Sequence, residues 1–341
     1  MAAEPERREG GGVLAQARRG LGVQWVSLSL ILLLMCVVIG WRAPNFWKAQ
    51  NLADVARNFS FIAIMASGMM MIITSGGIDL SVGSMLALCG VLTAWSMLSW
   101  GLPVPLAALF GLVCGAACGC VNGLLVTRVR VPPFVATLGT MSIFRSLALV
   151  TTGGGTLRQF SDTFMPMGQG TLGGVPWPVL VMVLVAIAGS LFLGLSRGGR
   201  YLYAIGGNEA AARLSGVAVD SWRLLYYTLA GLLTGCAAVL FTARFGVAQS
   251  TAGLGYELDV IAATVVGGVS LSGGEGTIIG AVLGAAIIGV LSNALVLLGV
   301  SPFWIGAVRG GVIIAAVALD TLRGGGFVQL RRLASFRKGG A

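Results

Sequence analysis

Apolar residues in this chain fall in long unbroken runs, not in the short alternation of strands. No charged residue occurs from Gly20 to Trp41, Asn58 to Ile78, Leu80 to Thr127, Leu224 to Ala243, or Gly276 to Val308. A helix that crosses a bilayer needs roughly 20 mostly apolar residues. The run from Leu80 to Thr127 is long enough for two, divided at Gly101-Leu102-Pro103-Val104-Pro105. Strands of a membrane barrel would show as short alternating segments instead. The pattern predicts an all-α, polytopic membrane protein of about ten transmembrane helices. Their expected positions are 22–41, 51–74, 78–98, 104–127, 133–152, 178–196, 224–243, 257–271, 276–298 and 303–322, the eighth being short.

Composition agrees with this. Of 341 residues, 56% are hydrophobic and 10% charged, against about 25% charged in soluble domains. So few charges could not cover a water-exposed surface. Residues 1–21 form a polar, glycine-rich arm, and the apolar run behind it is of full-span length with no small-residue cleavage pattern. A retained first helix is therefore expected, not a cleaved signal.

The net charge of +10 raises the question of nucleic acid, and its distribution answers it. With the N-terminus in the cytoplasm, the arm, the loop at Arg128 and Arg130, the loop 197–223 and the tail 323–341 carry 15 basic residues. The external loops carry 4: Arg42, Lys48, Arg158 and Arg244. This is the positive-inside asymmetry of a membrane protein with both termini cytoplasmic, and no nucleic-acid partner is needed to explain it.

The 53 glycines point to close helix contacts, because small residues let helices approach where no hydrophobic force drives association. The runs Cys114–Gly119 and Gly280–Ala286 suit such contacts. Cys36, Cys89, Cys114, Cys118, Cys120 and Cys236 all lie in apolar runs and read as packing residues. With no histidine and no CxxC pair, no metal site is expected.

Two polar interruptions carry functional interest. In Ser75-Gly76-Gly77-Ile78-Asp79-Leu80-Ser81-Val82-Gly83, Gly76-Gly77 frees a helix to end and Asp79 can cap the next one. Either this is a capped turn, or it is a helix break lining a pathway, since polar backbone at membrane depth is tolerated only within protein or beside water. Gly267-Gly268-Val269-Ser270-Leu271-Ser272 repeats the spacing of Gly-Gly and Leu-Ser. Gly-interrupted spans in both halves of a chain point to a transport site, and the span map gives these two the same orientation. Gly76, Gly77, Asp79, Ser81, Ser270 and Ser272 are thus candidate pathway residues. So are the intramembrane Arg145, Asn122 and Asn293, for which structural pairing between helices is an equal alternative.

Leu271-Ser272-Gly273-Gly274-Glu275 looks like the signature loop of an ATPase. That reading fails, because the only lysines are Lys48 and Lys338 and neither sits in a phosphate-binding loop. The chain itself is not expected to hydrolyse ATP or to hold a cofactor. The absence of histidine and of a GxSxG elbow argues likewise against a membrane-embedded hydrolase.

The loop 197–223 contains Gly206-Gly207-Asn208-Glu209-Ala210-Ala211-Ala212-Arg213-Leu214-Ser215-Gly216. Asn208 is a good N-cap, Glu209 complements the helix dipole, the alanines favour helix and Gly216 can end it. A helix of about two turns outside the membrane is predicted. It is either an ordinary loop helix or one small enough to seat in a partner's groove.

Taken in order, Thr74–Ser84, Asn122–Val126, Val131–Thr140, Tyr203–Asn208, Ala211–Gly216 and Tyr256–Ala263 resemble the permease family of ribose-type bacterial ABC importers. The likeness runs from about residue 45 to 322 and leaves out the basic arm and tail. It implies a permease body over 22–322 in the bacterial inner membrane, acting on a monosaccharide, a pentose or a hexose. It further implies a second permease copy, a periplasmic sugar-binding protein, and an ATPase subunit or tandem ATPase that uses the ATP. Asn208, Glu209, Ala210, Ala211, Arg213 and Gly216 then resemble the element that couples such permeases to their ATPase, with a spacing to Gly216 that matches only approximately. A secondary transporter driven by an ion gradient would share the hydropathy and the glycine breaks, but would not need the alanine-rich helix.

Overall fold

The computed structural model describes residues 10–158 and 162–301, with isolated positions from 304 to 318. Residues 1–9 of the predicted arm 1–21, most of the predicted span 303–322 with Arg309, and the tail 323–341 lie outside the described residues. In chain order the helices are α1 (Gly10–Arg42), a 3-10 turn (Pro44–Trp47), α2 (Ala49–Thr74), α3 (Val82–Ser99), α4 (Val104–Thr127) and α5 (Pro133–Thr152). There follow β1 (Thr156–Leu157), α6 (Pro166–Gln169), β2 (Thr171–Leu172), β3 (Val175–Pro176), α7 (Trp177–Leu195), α8 (Arg197–Gly207) and α9 (Glu209–Leu214). The described chain ends with α10 (Val219–Phe245), β4 (Ala248–Gln249), α11 (Tyr256–Val266) and α12 (Ile278–Leu297).

Among the described residues, eight helices are long and apolar enough to cross a membrane. Six of them match predicted spans within a few residues at each end; α1 reaches back to Gly10, 12 residues before its predicted span and into the predicted arm, and α10 begins five residues before its predicted start. Prolines open several of them: Pro133 heads α5 and Pro105 and Pro178 stand at the starts of α4 and α7, where a missing N–H costs nothing.

α2 is the central post. Every residue from Ser60 to Thr74 is buried, as expected of a helix that is apolar all round. α10, α12, α11 and α7 pack around it. The tightest contact in the bundle joins α4 to the antiparallel α10. A side chain on Gly115 would meet Gly235 Cα at 2.8 Å, and one on Gly231 would meet Gly119 Cα at 2.8 Å. Backbone therefore lies on backbone along this seam. The run Gly280–Ala286 serves the same end on α12, where a side chain on Gly284 would meet Gly267 N at 2.8 Å.

The eighth predicted span, 257–271, was expected to be short and is shorter still: α11 has 11 residues, about 16 Å of rise. The reason lies in the chain before it. The loop 246–255 dips into the bundle, where Arg145 in the middle of α5 donates to the carbonyls of Ser250 and Ala252, the latter at 2.8 Å. A side chain on Gly253 would meet Gly83 O at 2.8 Å, so the loop lies against the start of α3. α11 thus starts at depth and has only the remaining distance to cover. The two-stranded pairing of β1 with β4, Thr156 opposite Gln249, ties this loop to the exit of α5.

Candidate functional site

The first glycine break forms a buried polar knot. α2 ends at Thr74, α3 begins at Val82, and the residues between are held by side chains. Asp79 Oδ1 accepts from the Ser81 backbone N–H at 2.7 Å and from Ser81 Oγ at 2.6 Å. Asn122 Nδ2, from α4, donates to Asp79 Oδ2 at 3.1 Å and to Ser81 Oγ at 2.8 Å. Asp79 is 1% exposed, and Ser81 and Asn122 are fully buried. A carboxylate is tolerated at such a place only when hydrogen-bonded. Asp79 serves the N–H of Ser81, just ahead of the helix, and so tightens the turn into α3 instead of capping an N–H inside it. Asn122 Oδ1 is buried without a partner among the described residues.

The stretch between α2 and the knot is gripped from α10. Arg223 donates from Nε and Nη2 to Ser75 O, at 3.1 and 2.9 Å. One turn further along, Tyr227 Oη donates to Ile78 O at 3.1 Å. Arg223 also pairs with Glu209 Oε2 at 2.7 Å. A cavity of about 620 Å³ opens here, lined by Gly76, Thr127, Arg130, Glu209, Arg213 and Arg223 among others.

The second break meets the first at one point. Gly274 N donates to Thr74 O at 2.9 Å, and Tyr203 Oη, from α8, donates to Gly276 O at 2.9 Å. Within this break Ser270 N donates to Glu275 O at 3.2 Å, and Ser270 Oγ accepts from Ser272 N at 3.3 Å.

The predicted helix outside the spans is α9, of six residues, somewhat shorter than two turns. Asn208 caps it, its Oδ1 accepting from Ala211 N at 3.0 Å. Gly216 terminates it with φ +81°, a conformation that favours glycine. Arg213 pairs with Glu209 at 2.9 Å and Asp220 at 2.6 Å, which straps α9 to the start of α10. The outer side of α9 presents Ala210, Ala211 and Leu214, the last 90% exposed.

The remaining sequence candidates lie apart from these. Arg145 clasps the re-entrant loop from α5. Asn293, near the end of α12, pairs with Asn51 on α2, at the end of the bundle away from α9. There too, Asp54 pairs with Arg57 at 3.0 Å and with Arg244 at 2.8 Å. The sequence reading missed Arg223, Tyr227, Tyr203 and Gly206. It also missed Glu257, whose buried Oε2 has no hydrogen-bond partner among the described residues. Arg223 offered a signal as a charge at the edge of an apolar run, and Tyr203, Gly206 and Glu257 stand in segments that resemble the permease family. Among the described residues no three His, Cys, Asp or Glu side chains gather to hold a metal ion.

A short capped helix beside broken spans is an arrangement of transport proteins, and comparison with known sequences decides the family. The pattern of the family described as branched-chain amino acid transport system / permease component matches residues 51–317. The chain belongs to this permease family. The ribose import permease protein RbsC of Escherichia coli (strain K12) is 43% identical over 295 residues, covering 85% of this chain and 92% of that protein. RbsC of Bacillus subtilis (strain 168) is 44% identical over 291 residues, covering 85% and 90%. The D-allose transport system permease protein AlsC of Escherichia coli (strain K12) is 37% identical over 293 residues, covering 86% and 90%. No solved structure matches. The permease is a transport component of the cytoplasmic membrane, not an enzyme.

Proposed function

We propose that this permease forms the pathway of an ATP-driven importer that brings a monosaccharide, a pentose or hexose, into the cytoplasm by alternating access. The carrying observation is α9: capped by Asn208, strapped by Arg213, and presenting Ala210, Ala211 and an almost fully exposed Leu214. An apolar tip held rigidly in place on a membrane protein is suited to a partner's groove. ATP is used by that partner, an ABC ATPase subunit or tandem ATPase, and this chain needs no cofactor of its own.

Orientation follows from charge. The face with α9 carries Arg128, Arg130, Arg197, Arg200, Arg213 and Arg223, and the opposite face carries Arg42, Lys48, Arg158 and Arg244. The positive-inside rule puts α9 and both termini in the cytoplasm. The opposite face then receives the periplasmic sugar-binding protein. A second, identical permease completes the pathway, and the spanning body 22–322 carries the cytoplasmic arm and tail. The assignment to sugars rests on the named substrates of the relatives.

The test is transport in proteoliposomes. Purified permease with its co-purifying ATPase and the binding protein is expected to accumulate labelled ribose or a hexose only when ATP is supplied. Uptake that ignores ATP and follows an imposed ion gradient would replace this reading with a secondary transporter.

A further inference from the structure

The two glycine breaks, which begin 191 residues apart at Gly76 and Gly267, and the docking helix are joined at a single place. Two independent contacts make the joint. One is steric. Gly206, at the end of α8, lies so close to Thr74 O and Gly274 N that a side chain there would overlap both. A side chain on Gly274 would in turn meet Gly207 Cα at 3.0 Å. The end of α8 is therefore wedged between the last residue of α2 and the second break, where Gly274 N already bonds Thr74 O at 2.9 Å.

The other contact is the guanidinium of Arg223. It takes the Glu209 carboxylate of α9 at 2.7 Å. The same group donates twice to Ser75 O, a carbonyl that the end of α2 leaves without a helical partner. A guanidinium is a planar fork, so two bonds to one acceptor and a third to a carboxylate fix the relative positions of α9, α10 and the α2 terminus. Tyr227 then holds Ile78 O at 3.1 Å, next to Asp79. A continuous chain of contacts therefore runs from α9 through Glu209, Arg223, Ser75 and Ile78 to the carboxylate that bonds Asn122 on α4.

We infer that Arg223 and Gly206 are positioning residues that transmit movement of the docking helix α9 to both glycine breaks and to the Asp79–Asn122 contact. The inference rests on the importer reading above. It requires close-packed contacts with two discrete arrangements, as allosteric transitions in proteins generally do.

The test compares sugar moved per ATP hydrolysed in the reconstituted complex for wild type, Arg223→Gln, Arg223→Lys and Gly206→Ala, using preparations that retain the ATPase at wild-type stoichiometry. Arg223→Gln and Gly206→Ala are expected to lower that ratio by about fivefold or more, the scale of a modest allosteric coupling. Arg223→Lys, which keeps the charge but not the fork, should fall between wild type and Arg223→Gln. A purely structural role would lower the amount of assembled complex and leave the ratio unchanged. An unchanged ratio in both Arg223→Gln and Gly206→Ala overturns the inference and leaves the importer reading standing. Wild-type protein that carries sugar without ATP overturns the importer reading and this inference with it.

Discussion

Asn51 and Asn293 exchange side-chain hydrogen bonds in both directions, at 3.2 and 2.9 Å, although 242 residues separate them. The pair clips the start of α2 to the end of α12 at the face opposite α9. Interhelical hydrogen bonds in membrane proteins average about 0.6 kcal/mol. Asn293→Ala is therefore expected to lower thermal stability in detergent slightly, and the double variant Asn51→Ala, Asn293→Ala to lower it by less than the sum of the two. Transport should be retained. Loss of uptake by a stably folded Asn293→Ala protein would return this residue to the pathway.

The Asp79 knot makes a sharper demand. Asp79→Ala removes the acceptor shared by the Ser81 N–H, the Ser81 hydroxyl and Asn122 Nδ2, and leaves these donors buried. Leaving buried groups unsatisfied costs about 1–3 kcal/mol. The variant is expected to unfold at lower temperature and to lose uptake, as followed by thermal denaturation and transport together. Wild-type values for both would remove the knot from the account.

Along the α4 seam the expected defect is steric. Gly231→Leu places a side chain where Gly119 Cα stands. Overpacking costs about 1–3 kcal/mol where neighbours can shift, and here the neighbours are backbone. Little folded protein should be recovered from membranes. Gly139→Leu on α5, which has open space around it, is the control and should be recovered at wild-type level.

Acid sensitivity of the docking helix has a definite sign. Burial pushes the Glu209 carboxyl up, but hydrogen bonds and charges from Arg213 and Arg223 outweigh it and hold the group below its ordinary value of 4.5. A depressed carboxyl contributes its stabilisation above the unfolded value and loses it as pH falls through the folded one. Retention of the ATPase should be flat from neutral pH down to about 5 and fall only below the ordinary carboxylate range. Glu209→Gln should weaken retention at neutral pH and remove its part of the acid step. An acid step that persists unchanged in Glu209→Gln would assign it elsewhere.

At the tip of α9, Leu214→Asp should leave folding intact, because the side chain is 90% exposed, and should abolish ATPase co-purification. Gly216→Trp should uncouple ATP hydrolysis from uptake. Gly216 has open space around it but a φ of +81°, so any larger residue strains the turn that ends α9. Normal uptake by an assembled Gly216→Trp complex would refute this.

Features with local causes were legible in the sequence. The run lengths gave the long spans, and the cap and terminator of α9 could be read from Asn208 and Gly216, because both act within a few residues. α11 ends five residues before its predicted end, because hydropathy measures apolar length and not starting depth. Its start is set by Arg145, whose partners are backbone carbonyls 105 and 107 residues away. The similar spacing of the two glycine breaks could be seen. Their meeting at Gly206 could not, since a residue that acts by having no side chain leaves no chemical trace. Arg223 looked like one more positive charge at a membrane edge.

The seam between α4 and α10 has a mechanical consequence. Side chains let packed helices ratchet past each other by exchanging rotamers, and a glycine-on-glycine contact has none to exchange. α4 and α10 therefore behave as one welded beam, with the Asn122 end of the knot on one limb and the Arg223 clamp on the other. Whatever tilts that beam at its α9 end swings its far end as well, where Arg244 on α10 holds Asp54. Slippage is left to helices joined by side chains. α5 leans chiefly on α3 and meets the re-entrant loop through Arg145 and the β1–β4 pairing at its exit, so its contacts are of that kind.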